Sequence, residues 1–326
     1  MPKFIRRLQK IGSSILVTLP KDWVDANKLQ KNAEVELETG QNTLSITLNP
    51  ETRPTKDVVI SYPLPKEENI VADLTGAYLL GYDMITIKSK SSIPLKDRDN
   101  IRNSMRRLVG MEIIEEDAST IQMQFLLDAT TLNPQKILKQ MSTIVLGMFS
   151  DIISALASND KSNLQTLSSR DNEVNRQYFL LVRLIRSTMI DRRLASAFNL
   201  ENIDVVDYRI AANILESAGD TIVELANALY NSKLSEKDLR KLYDVAKNFG
   251  TMEEKAIDAF VTNSRSLAIE SISLHKKNQE KISAIRSSLE KKSTVPIDFL
   301  DLVYTLERVE TYMADIADLV KPIYGK

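Results

Sequence analysis

One apolar stripe occurs twice in this chain, and it limits the possible folds more than any other feature. Ala211, Leu215, Ala218, Ile222, Leu225 and Leu229 step by four and three residues in turn, the spacing of a helix face packed lengthwise against others. The same steps recur 91 residues later at Leu302, Leu306, Val309, Met313, Ile316 and Val320. Two long helices with one stripe predict a duplicated helical bundle. Asn133 before Pro134 is an N-cap followed by a proline at the first helical position, so the bundle should open there.

Three helices per half follow from the apolar period. The first carries Ile137, Met141, Ile144, Met148, Ile152, Ala155 and Leu156; the second runs from about Ser162 to Ala197, and the third from about Ile203 to Tyr230. Ser235 with Asp238 three residues on starts the second half, dividing residues 133–326 into repeats of about 133–232 and 235–326. The fourth helix passes Gly250, where a bend is expected, and reaches Thr262; the fifth spans about Ser266 to Lys291, and Pro296 opens the sixth.

Beside the stripe, Glu216 and Asp220 share a helix face. Like charges four apart repel by roughly 0.2 to 0.5 kcal/mol unless they are solvated or bridged by a cation. In the second copy Glu307 matches Glu216, Glu310 matches Gly219 and Thr311 replaces the second carboxylate. Bundles hold divalent cations by aiming carboxylates inward from facing helices, and hard cations accept all-oxygen sites. Asp171, Glu173 and Asn175 on the second helix could complete such a set, with Asp207 and Asp298 as further candidates. The fifth helix offers KKNQEK from Lys276 where the second offers DNEVN from Asp171, and lysines there would repel a cation. A solvated acidic face is the other reading of the pair.

The run LESAGD from Leu215, followed by IVELAN from Ile222, together with the duplication, resembles the PhoU family of phosphate-signalling regulators. That resemblance covers about the last three fifths of the chain. It implies an all-α, duplicated three-helix bundle that binds metal clusters through an E(D)xxxD pattern; Glu216, Asp220 and Glu307 match the pattern and Thr311 departs from it. Together with Asp171 and Asn175, these residues are the candidate ligands for Mg, Mn, Fe or Zn. The resemblance also implies partners, the ATPase of the phosphate ABC transporter or its sensor kinase, and no catalysis.

The first 50 residues read differently. Ile15, Val17 and Leu19 alternate as a strand ending at Pro20; Val35 and Leu37, then Leu44, Ile46 and Leu48, alternate around a turn at Gly40, and one short helix fits KDWVDANKL from Lys21. Four short strands and a helix make a weak core for a lone chain, so dimerisation is expected. Residues 1–31 hold seven cations (Lys3, Arg6, Arg7, Lys10, Lys21, Lys28, Lys31) against Asp22 and Asp25, a local charge of +5. A face of that kind can bind phosphates, or it can simply keep a dimerisation barrel in solution.

The wording RRLQKIGSSILVTLPKDWV from Arg6 resembles the AbrB/SpoVT/MazE family of swapped-hairpin, dimeric DNA-binding barrels. It implies a DNA-binding and dimerisation domain over residues 1–52, with Arg6, Arg7, Lys10, Ser13, Ser14 and Lys21 at the DNA and Lys3 beside them. Phosphate contacts of this type set affinity and register but carry no base sequence.

Residues 51–56 read as a linker, because Pro54 interrupts any ladder. An α/β module over 55–131 then alternates strand and helix: a strand at Val58, a helix in the run from Lys66, a strand at Met84, a helix from Arg98, and strands at Glu112 and Ile121. Arg98, Arg102, Arg106 and Arg107 lie off its buried stripe, and no phosphate loop passes through Gly76 or Gly81.

Several classes of function are excluded or weakened by composition. The absence of cysteine removes disulfides and thiolate sites, and fits a cytoplasmic protein. A single histidine, His275, lying in a polar run where an exposed side chain is expected, is too few for a Glu-x-x-His di-iron site. No apolar run reaches the ~18 residues that span a bilayer. The expectation is a multidomain, homodimeric regulator that binds DNA and couples phosphate status to gene expression. The alternative is a dimeric scaffold that ignores DNA and restrains the transporter or kinase.

Overall fold

Gly12, at φ +62°, takes the first central position of a two-residue turn between β1 (Gln9–Ile11) and β2 (Ser14–Leu16), where a type II′ hairpin requires glycine. Ile11 faces Ser14 and Lys10 faces Ile15 across this antiparallel pair. The strand expected to reach Leu19 stops at Leu16. A short helix α1 (Lys21–Ala26) follows, then a second antiparallel pair, β3 (Val35–Thr39) with β4 (Leu44–Leu48). In this computed structural model, residues 3–39, 42–48, 55–200, 202–290 and 296–320 are described. Gly40, Lys291 and residues 51–54 of the expected linker lie outside them.

The chain divides into two compact units, Met1–Pro54 and Thr55–Lys326. The α/β module expected to stand apart therefore belongs to the same unit as the bundle. Its elements are β5 (Asp57–Tyr62), α2 (Ile70–Leu79), β6 (Met84–Ser89), α3 (Leu95–Met105), β7 (Met111–Glu116) and β8 (Thr120–Phe125). The sheet order is β5-β6-β8-β7, parallel between β5 and β6 and antiparallel elsewhere, with a bulge in β7 between Ile113 and Glu115. Leu74, Tyr78, Ile85, Ile87, Ile101, Ile121 and Met123 are buried between sheet and helices.

The bundle begins as the capping signal predicts: the Asn133 side chain accepts from the Lys136 N–H ahead of α4 (Pro134–Ser158). After a 3₁₀ turn at Ser162–Thr166 come α5 (Leu167–Thr188), α6 (Arg192–Ala197) and α7 (Asn202–Asn231). The second half comprises α8 (Glu236–Ala246), α9 (Phe249–Thr262), α10 (Arg265–Glu290) and α11 (Ile297–Asp318). Eleven of the twelve stripe residues on α7 and α11 are buried, and Val320, past the end of α11, is half-buried. The two helices pack on each other at the centre. By length and composition α4 could cross a membrane, but its apolar positions, from Ile137 through Leu156, line this core.

Two helices expected to be continuous are broken. The second stops at Thr188, where the Ser187 and Thr188 hydroxyls bond back to the carbonyls of Arg183 and Ile185 and compete with the helical ladder. The fourth breaks at Lys247 and Asn248, ahead of the glycine that was expected to bend it. Gly250 instead permits close approach to α4, since a Cβ there would stand 3.2 Å from Leu146 Cδ1, next to the stacked rings of Phe149 and Phe249.

Candidate nucleic-acid interface and acidic bundle site

In the N-terminal unit, Lys3, Arg6, Arg7, Lys10, Ser13, Ser14 and Lys21 are all exposed. The tight turn at Gly12 and Ser13 places Lys10 on β1 and Ser14 on β2 at one end of a short hairpin, with Arg6 and Arg7 on the irregular segment that leads into β1. The Arg6 guanidinium lies over the Phe4 ring at 5.6 Å. None of the ion pairs between described residues involves these cations.

The apolar side chains of this unit are equally uncovered. No described residue between 3 and 48 is buried. Ile5 is 94% exposed, Ile15 67%, and Leu8, Ile11, Leu37 and Leu44 all exceed half. Alternating apolar strands normally bury one face, so these two hairpins have a hydrophobic face without its complement.

The bundle presents the opposite case. Gly219 is where α7 comes closest to α5: a Cβ on it would lie 2.6 Å from Asp171 Oδ1. This contact presses the Asp171 carboxylate against the face that carries Glu216 and Asp220 on either side of the glycine. Asp171 is buried, its Oδ1 has no hydrogen-bond partner, and Asn175 Nδ2 donates to Oδ2 at 2.9 Å. Burial, then the charges of Asp220 and Glu216, raise its pKa to about 6. Glu216 is raised too, by burial and by Asp220. The structure thus brings together Asp171, Asn175, Glu216 and Asp220, four of the five predicted ligands.

Glu307 is not among them. It forms a fork with Arg286 of α10, while Thr311 turns its hydroxyl back to the Glu307 carbonyl. Glu173 is held by Arg176 and Gln177 on its own helix, and Asp298 is exposed in the first turn of α11. Among the described residues, no three His, Asp or Glu converge in an arrangement that could hold a metal ion. The donor chemistry of the first half nevertheless suits a hard cation: carboxylate oxygens, one of them orphaned in the interior, with no lysine or arginine bonded to Asp171.

At the equivalent place in the second half the protein supplies its own cation. Glu310, in the position of Gly219, is fully buried; Asn278 Nδ2 donates to it at 3.0 Å, and Lys281 Nζ donates to Asn278 Oδ1 at 3.0 Å and to the Asp244 carbonyl at 2.8 Å. Burial raises the Glu310 pKa to about 8, against the pull of Lys281. Asn278 and Lys281 lie within the polar run whose lysines were expected to exclude a metal. His275, expected to be exposed, is half-buried with an unpartnered Nδ1; burial lowers its pKa, opposed by Asp315, Glu307 and Asp318.

Two further groups were not singled out in the sequence. Glu253 of α9 is fully buried, accepts from Ser142 Oγ at 2.9 Å and is raised to about 8 by burial. Its place four residues after Phe249, on the buried stripe, was the available signal. Arg183, inside the apolar run from Leu180 to Ile185, is 2% exposed. It donates to the carbonyls of Tyr78 and Tyr82, pairs with Asp83 at 3.1 Å and lies 3.9 Å over the Phe125 ring. One side chain of α5 thereby fastens the α/β module to the bundle.

Residues 138–229 match the family model of the PhoU domain. That match covers the first half of the helical region. Residues 8–57 match the model described as antidote-toxin recognition MazE, bacterial antitoxin. The PhoU match spans the first repeat, including Asp171, Glu216 and Asp220, and the MazE match includes Lys10, Ser13, Ser14 and Lys21. Among solved structures, the phosphate transport system regulatory protein PhoU from Streptococcus pneumoniae is similar at 21% identity, covering 57% of this chain and 91% of its own, with a TM-score of 0.48. PhoU from Pseudomonas aeruginosa is similar at 16% identity, covering 57% and 93%, with a TM-score of 0.39. No curated protein matches the chain.

Proposed function

We propose that this chain is a homodimeric DNA-binding regulator of phosphate uptake. The observation that carries this reading is the N-terminal unit: two hairpins with an uncovered apolar face and a cluster of exposed cations, in no ion pair among the described residues, in one stretch of 48 residues. A second copy supplies the missing apolar face, and the duplex supplies the counter-charge to Lys3, Arg6, Arg7, Lys10 and Lys21, with Ser13 and Ser14 donating to phosphate oxygens at the turn. The match to an antitoxin model of this length supports the same reading.

The bundle is the input side. The match to the PhoU domain model and a first-half carboxylate set support a sensor or relay, which takes its signal from the phosphate ABC transporter or the associated kinase. Asp171, Glu216 and Asp220, with Asn175, would hold a divalent cation there, offsetting the mutual repulsion that raises the Asp171 pKa. Because α5 carries both Asp171 and Arg183, a shift of this helix on loading reaches the α/β module directly. A ligand that prefers one arrangement changes DNA affinity by its differential affinity for the two states.

A genome-wide footprint of the full-length protein, in phosphate-replete and phosphate-starved cells, tests this function. The expected result is a small set of sites, including phosphate-uptake genes, whose occupancy changes with phosphate. An absence of sites in both conditions, together with recovery of the transporter in cross-linking, would favour the scaffold reading instead.

A further inference from the structure

The two edges of the module's sheet are built differently. The β7 edge carries Glu112, Glu115 and Glu116 and is interrupted by a bulge, the devices that keep an edge strand from pairing with another chain. At the other edge, β5 reads Asp57-Val58-Val59-Ile60-Ser61-Tyr62, with no charge after its first residue and no bulge in its register with β6. Val59 is 57% exposed. Beside this strand runs an open groove of about 560 Å³, lined by four consecutive β5 residues, Val58 to Ser61, and by α2. Consecutive residues point to opposite faces of a sheet, so the groove follows the free edge itself. On its helical wall Gly76 has nothing within 4 Å of where a Cβ would stand.

We propose that β5 is a second dimer seam: it pairs antiparallel with β5 of a second copy about a two-fold axis at Val59, whose apolar side chains fill the groove along α2. This proposal rests on the homodimer reading and adds a second interface to it. The strand is self-complementary in that register, since Val58 meets Ile60 on the buried face, Asp57 meets Ser61, and Val59 covers its own copy with no like charges opposed. Charged chemistry does not select an anionic occupant, because Glu68 and Asp73 line the groove and the strand carries no charge after Asp57. The second copy is also the chain present at high local concentration. Only nine residue steps separate Leu48, the end of the N-terminal hairpins, from Asp57. Chains paired through those hairpins therefore hold their second units at the millimolar effective concentrations typical of short tethers.

The absence of native cysteine makes the test clean. Full-length Val59→Cys protein is oxidised and run on a non-reducing gel beside Glu115→Cys, which places the thiol on the opposite edge. Val59→Cys is expected to give a covalent dimer and Glu115→Cys none. In sedimentation equilibrium, Val59→Lys, which sets two cations face to face, should weaken the dimer about tenfold, whereas Val59→Thr should not. A chain that remains dimeric with no Val59→Cys cross-link and no effect of Val59→Lys overturns the β5 seam while sparing the N-terminal dimer. A native chain that is monomeric at micromolar concentration overturns both readings.

Discussion

The N-terminal hairpins and the helical bundle are incomplete in opposite ways. The hairpins leave apolar strands and cations in solvent, whereas the bundle buries all but the last residue of its apolar stripe and keeps Asp171, Glu253 and Glu310 inside with one oxygen each unbonded. The first kind of incompleteness calls for a protein surface and a polyanion; the second calls for a proton or a cation. The two halves of the bundle refine the point, because the second half brings its own Lys281 and Arg286 to Asn278 and Glu307, and the first half brings neither to Asp171. Duplication preserved the stripe and let the polar chemistry diverge.

The largest expected effect concerns the proton. Glu253 and Glu310 keep their protons in the folded chain up to about pH 8, whereas their ordinary value is 4.5. Between those limits the folded state holds more protons than the unfolded one, so stability falls as pH rises, by up to about 1.4 kcal/mol per pH unit for each group. Urea unfolding at pH 5 and pH 8 should show this decline, and Glu253→Gln with Glu310→Gln should flatten it. A pH-independent midpoint in the native chain would break the contrast between a buried stripe and incompletely bonded polar groups.

Next in size is the apolar face of the hairpins. Ile15→Asp, at a position already in solvent within one chain, should leave monomer stability nearly unchanged yet weaken the dimer by about a hundredfold, because each interface receives two buried charges. Sedimentation equilibrium reads the change. Unaltered dimerisation would mean that this face has no partner.

Gly219→Ala sharpens the comparison of the bundle halves. The added methyl would press on Asp171 Oδ1, and since that carboxylate is buried the cost should be about 1–3 kcal/mol. The corresponding change at Gly147, whose neighbour is the end of the Arg170 side chain, should cost less, and thermal unfolding ranks the two. Smaller still is the difference in cation affinity. Asp171→Asn should reduce Mn²⁺ binding about tenfold by calorimetry, and Glu307→Gln, already engaged by Arg286, should leave it within twofold. Equal losses in both variants would remove the asymmetry.

Periodicity revealed the bundle because a stripe of apolar residues is one-dimensional information: the positions of Ala211 to Leu229 and their copy suffice to set the packed faces. The grouping of Asp171 with Glu216 and Asp220 was half legible, since helix spacing joins residues on one helix but not across two. What brings them together is Gly219, whose missing side chain lets α5 approach, and a glycine inside a helix reads from sequence as a weakness instead of a contact. Glu307 was misassigned for a related reason, as its partner Arg286 lies on another helix at a distance that no spacing rule encodes. Arg183 escaped notice because an arginine in an apolar run declares burial without naming the carbonyls of Tyr78 and Tyr82 that receive it.

A salt series of DNA gel shifts with the whole chain tests the central claim most directly. Gel shifts between about 50 and 200 mM salt should lose affinity steeply, and replacing Arg6, Arg7 and Lys10 with alanine should reduce the logarithmic slope by about 0.9 for each phosphate contact removed. Binding that is absent, or that ignores both salt and the three substitutions, would contradict the account.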